Sequence, residues 1–147
     1  MTRAITKFFR LGADQRRLLL QAVPELARSR RALSRRPVRE LIAGVEEHSG
    51  EVVKQVLDSS EAELAGQIGW AVRAAAAYTP WNNSCLVQVI AAQNMMRSRG
   101  VGGAIYLGAA RGEGEEFAAH AWLKHGDVFV TGEAGHEEYQ VLTTFSW

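Results

Sequence analysis

At 147 residues, with 47% apolar and 22% charged residues, the chain has the composition of a soluble globular protein and the length of a single domain, 1–147, able to bury a core. No apolar stretch approaches the roughly 18 to 20 residues needed to cross a bilayer, and the opening MTRAITKFFR lacks a signal-peptide core, so a cytoplasmic location without membrane contact is expected. The net charge of +1 is unevenly spread: residues 1–39 hold 11 Lys and Arg against two acids, a balance of +9, and the remainder holds 6 bases against 14 acids, a balance of −8. That asymmetry suits recognition of a charged peptide or docking of one part on the other, whereas nucleic acid is not expected of a chain that is not basic as a whole.

Residues 13–31 have Leu18, Leu19, Val23, Leu26 and Ala27 at helical spacing, with Pro24 expected to kink or divide the helix. A basic turn follows at 28–36, and Pro37 opens a short helix with Val38, Leu41, Ile42 and Val45 as its apolar positions. A further short helix is expected at 52–57. Ser59, Ser60 or a neighbour then caps a long helix, since Glu63 follows Ser60 by three residues. Its stripe of Leu64, Ile68, Ala71, Val72, Ala75 and Ala76 is small enough to let a second helix approach closely.

That second helix carries the only cysteine. Thr79 and Pro80 break what precedes, Asn82, Asn83 and Ser84 offer capping oxygens, and Gly100 supplies a stop, so Cys85 falls in the first turn. There the free backbone N–H groups and the positive end of the helix dipole favour an anionic, nucleophilic sulfur. The remaining helix is apolar around most of its circumference and belongs in the core.

Beyond Gly100 the pattern becomes strand-like, with strands expected at 103–110, 116–124, 127–131 and 139–145 and a tight hairpin at His125 and Gly126. Helices first and an antiparallel sheet second make an α+β architecture. On the second strand Ala118, His120, Trp122 and Lys124 share one face, and Phe117, Ala119, Ala121 and Leu123 the other.

A cysteine at a helix start and a histidine on a neighbouring strand are the parts that thiol catalysis needs, His120 taking the proton of Cys85. A third group should orient the imidazole: Glu133 is the first choice, with Asp127, a backbone carbonyl or the Gln140 amide as alternatives. The Cys85 N–H, helped by Asn82 or Asn83, would stabilise an oxyanion, and Trp81 and Trp122 would wall a peptide cleft. Each of these has a plainer reading: a small buried thiol, a core histidine, capping asparagines, packing tryptophans. The four histidines show no metal-ligand spacing, and no metal or cofactor is expected.

The succession of Cys85 and its apolar helix, SRGVGGAIYLGAAR, FAAHAWLKHGDVFVTG and EEYQVLTTF resembles the transglutaminase-like leader peptidases of lasso peptide biosynthesis. The likeness covers about 68–147 in the expected order; LLLQAVPELARSRRAL is compatible with the family's helical cap, which would place the cap at 1–66 and a transglutaminase-like, papain-like catalytic core at 67–147. It implies a cysteine endopeptidase that removes the leader from a ribosomally made precursor, with Cys85 as nucleophile and His120 as general base. The family's third residue, an aspartate in some members, falls near Gly132, where this chain has no acid. The implied partners are the precursor peptide, a separate leader-recognition protein and an ATP-dependent lasso cyclase. Transglutaminase-type acyl transfer and a non-catalytic peptide-binding module are the alternative readings.

Overall fold

The computed structural model describes residues 2–42, 58–110 and 117–147, and the backbone of 46–49 and 111. The expected short helix at 52–57 and the position of Val45 lie outside the described residues. In chain order come helices α1 (Thr2–Phe9), α2 (Ala13–Leu33) and α3 (Val38–Leu41), strand β1 (Glu46–Ser49), helices α4 (Ser59–Tyr78) and α5 (Cys85–Arg97), and strands β2 (Ala104–Arg111), β3 (Phe117–His125), β4 (Val128–Thr131) and β5 (Gln140–Ser146).

Pro24 neither divides α2 nor ends it: one helix runs through it. Proline deprives the Leu20 carbonyl of its N–H partner, but both residues lie on the exposed side, where water can take that bond. Leu18, Ala22 and Leu26 form the buried stripe. The cap of α4 is Asp58, whose carboxylate accepts from the backbone N–H of Ser60 at 2.9 Å and its hydroxyl at 2.7 Å. The small-residue stripe behaves as expected, with α4 packed against α5, and it also lies on α2 and β4. Gly69 is its closest point: a Cβ there would fall 2.2 Å from the Val130 carbonyl oxygen, a carbonyl that also accepts from Arg73 Nη1.

Helix α5 is a core helix. Val87, Val89, Ile90, Ala91, Ala92, Met95 and Met96 are all buried, against α2 and α4 on one side and β3 and β4 on the other. Full burial of each larger side chain is worth about 1.5–3 kcal/mol, which holds the helix firmly in place. Its end is closed by Gly100 at φ +69 and a Val101 N–H to Met96 carbonyl bond of 3.0 Å. Arg99 binds the Met95 carbonyl at 3.0 Å and reaches Gln21 on α2.

The antiparallel strands follow the order β1-β5-β2-β3-β4. Strand β1, absent from the sequence expectation, extends the sheet by pairing with β5 from Glu46 opposite Ser146 to Ser49 opposite Thr143. The alternation along β3 is as expected. Ile105, Ala121, Leu123 and Phe145 join the helices in the main core, whereas Tyr106 and Trp122 form a second cluster on the opposite face with Phe129, Tyr139 and Val141 packed around it.

Candidate active site

Ser84 is the cap of α5: its Oγ accepts from the Val87 N–H at 3.3 Å, and its carbonyl accepts from the Gln88 N–H at 3.1 Å. Cys85 is therefore the first helical residue, half-buried against the helical core, with no acid in the first turn. A helix start leaves its first N–H groups without intrahelical partners, so those of Cys85 and Leu86 are available to a developing oxyanion.

The loop ahead of Cys85 is held by Asn83. Its Oδ1 accepts from the Trp81 indole N–H at 2.8 Å, and its Nδ2 donates toward Thr79 Oγ1 at 2.6 Å and the carbonyls of Ala76 and Trp81 at 3.3 Å. Gln88, a turn into the helix, donates to the Asn83 carbonyl at 3.2 Å. The amide of Asn83, expected to help hold substrate or oxyanion, is shared among three acceptors that join the end of α4 to the start of α5. Asn82 is exposed, and Trp81 is half-buried.

His120 lies opposite Gly108 of β2 and two residues before Trp122, on the sheet face of the second cluster. Trp122 and Tyr139 flank its ring at centroid distances of 5.7 and 5.0 Å. Its Nε2 stands 2.8 Å from the Gly132 carbonyl oxygen. A carbonyl only accepts, so Nε2 is the donor of this contact, which leaves Nδ1 as the ring nitrogen facing away from it and the one to be offered to a thiol. The orienting contact assigned to Glu133 is thus made by the main chain of the residue before it; Glu133 and Asp127 are both exposed, as is Gln140. Gly132 adopts φ +78, and its carbonyl meets the ring where β4 has ended: among the described residues β4 pairs only with Leu123 to His125, so the stretch of β3 around His120 has no strand paired on that side.

The expected meeting of thiol and imidazole is not made as a bond. Cys85 packs with the core on the helix-bearing face, His120 belongs to the other face, and among the described residues no hydrogen bond joins them. The reason is alternation: Ala121 and Leu123 face the helices, so His120 and Trp122 face away. Catalytic hydrogen bonds in free enzymes are often long and form only with substrate bound.

Two contributors carry no functional signal in the sequence pattern. Tyr139 reads there only as the start of a strand, but the turn at His136–Glu138 brings it onto the His120 ring. Gly108 makes room for Trp122, since a Cβ there would meet the indole at 3.0 Å; a glycine inside a strand is the signal for such close approach.

No curated protein and no solved structure matches the chain. A family model does, the transglutaminase-like superfamily, over residues 8–144. That span takes in the helices, the Cys85 helix and the sheet carrying His120, in the α+β arrangement described, and the chain belongs to the transglutaminase-like superfamily.

Proposed function

We propose that the chain is a cysteine peptidase that cleaves the leader from a ribosomally made lasso peptide precursor before macrolactam closure. Its superfamily is compatible with cysteine peptidase or acyltransferase chemistry, and the resemblance of the segments around Cys85 and His120 supports the finer reading. The observation that carries it is the half-buried Cys85 as first residue of α5, beside unpaired backbone donors. Cys85 attacks the scissile carbonyl, the oxyanion is held by the first-turn N–H groups, His120 accepts the thiol proton on Nδ1 and later returns it to the leaving amine, and water releases the acyl group from sulfur. Before the first step the sulfur and Nδ1 must come within hydrogen-bond reach of one another. The precursor, a separate leader-recognition protein that presents it, and a downstream ATP-dependent cyclase are the partners of this reading, and the cytoplasm its location.

The test is mass spectrometry of precursor peptide incubated with the protein, with and without the recognition protein. Wild type releases leader, while folded Cys85→Ala and His120→Ala do not; leader release by pure Cys85→Ala protein overturns the reading. A mass increment in added primary amine identifies acyl transfer instead of hydrolysis.

A second reading, a peptide-binding module without chemistry, is favoured by the absence of a bond between Cys85 and His120. It predicts that precursor binds but forms no thioester with Cys85 on any timescale.

A further inference from the structure

An open apolar groove of about 1070 Å³ runs between α1, α2 and the end of α4. We propose that it binds an acidic, amphipathic segment of the peptide substrate, at a distance from the bond being cut. This rests on the peptidase reading and names where its substrate is gripped.

Helix α1 buries none of its residues, yet it is amphipathic, and Ile5 and Phe9 line the groove rather than a core. Leu20 and Val23 of α2 and Tyr78 of α4 complete it; Phe9 is 68% exposed, Leu20 64% and Tyr78 67%. Apolar surface of this extent in a concave setting marks an interaction site. Its volume reaches the top of the roughly 300–1,000 Å³ range of small-molecule pockets, and its walls are almost wholly apolar, so it suits a row of side chains better than one compact ligand.

Charge selects the occupant. Lys7 and Arg10 are the charged residues of the lining, no acid is among them, and a neighbouring hollow adds Arg3 to the same end. A peptide with apolar anchors and carboxylates between them would bury the first and pair the second. A second copy seated with its axis at Lys7 and Arg10 would set like charges against each other. Position ties the groove to the site: Trp81 lines it and lies four residues before Cys85, at most about 14 Å of extended chain. One peptide can therefore reach both.

Binding is tested with full-length Cys85→Ala protein and a fluorescein-labelled peptide of about 14 residues, with Leu and Phe spaced i, i+3, i+4, i+7 and Glu elsewhere. A sister peptide replaces Glu by Lys. Anisotropy should show the acidic peptide binding at least about tenfold more tightly, with affinity falling as salt rises, and Leu20→Glu or the pair Lys7→Glu, Arg10→Glu weakening it about tenfold or more. Phe9→Ser, on a helix without buried residues, provides a variant whose folding is not at stake. Equal binding of both peptides, indifference to these substitutions, a concentration-dependent dimer abolished by Leu20→Glu, or binding to anionic phosphatidylserine vesicles in place of peptide would each overturn the proposal. Because the assay needs no chemistry, loss of the groove with leader cleavage intact removes this proposal alone, and peptide binding without cleavage removes the peptidase reading alone.

Discussion

The carbonyl oxygen of Gly132 lies 2.8 Å from Nε2 of His120, and this one contact does what a carboxylate does in many thiol and serine hydrolases: it chooses the tautomer. A main-chain acceptor fixes the ring's orientation by geometry alone, without a carboxylate beside it.

Gly132→Ala is the sharpest test of that dependence. The residue sits at φ +78, and a Cβ would fall 2.5 Å from the Ala121 carbonyl oxygen and 2.7 Å from Trp122 Cβ. Relieving the clash displaces the carbonyl from His120. On the peptidase reading, leader cleavage should fall by about a hundredfold, as misplacing a reacting group by about 1 Å does, and urea unfolding should show a loss of about 1–3 kcal/mol from backbone strain.

Glu133→Gln should be nearly silent. The side chain is exposed and the ring is held from Gly132. On the same reading, turnover of the precursor within about twofold of wild type is expected, the usual span for a surface substitution. A loss near that of His120→Ala would show that the carboxylate swings in during the reaction.

Gly69→Ala reports on the seat of α4 on β4. The added methyl meets main chain, at 2.2 Å from the Val130 oxygen, so neither partner can simply rotate away. Overpacking of this kind costs about 1–3 kcal/mol, readable as a lower melting temperature by circular dichroism.

The cap of α4 predicts a pH dependence. The Ser60 hydroxyl, and then its backbone N–H, hold the Asp58 carboxyl below its ordinary value of 3.8. A carboxyl lowered in the folded chain contributes stability above the unfolded value and loses it as pH falls through the folded one. Asp58→Asn keeps a capping oxygen, so neutral-pH stability should change little while the decline in acid becomes shallower. An unchanged acid limb in urea titrations across that range would count against the contact.

The helix that bears Cys85 was legible because its signals are local: a serine cap, an apolar circumference and a glycine stop. The alternation along β3 was legible too, down to which residues share a face with His120. What sequence did not reveal is which face the helices cover, because both carry apolar side chains, Ala121 and Leu123 on one and Trp122 on the other, and only packing decides between them. Strand β1 was hidden for a different reason: EEHS has no apolar alternation, and it is a strand by virtue of backbone pairing with β5. The group that orients His120 is not legible in the sequence because a main-chain carbonyl has no letter of its own.

Asn83 is followed by Ser84, a pairing prone to slow hydrolysis of the side-chain amide. Its nitrogen now donates toward Thr79 Oγ1 and two carbonyls; deamidation would set a carboxylate oxygen against those same oxygens and push apart the ends of α4 and α5. Aged preparations should lose the placement of Cys85 while the thiol itself stays chemically intact, a form of decay that thiol titration would miss and a one-dalton mass gain would reveal.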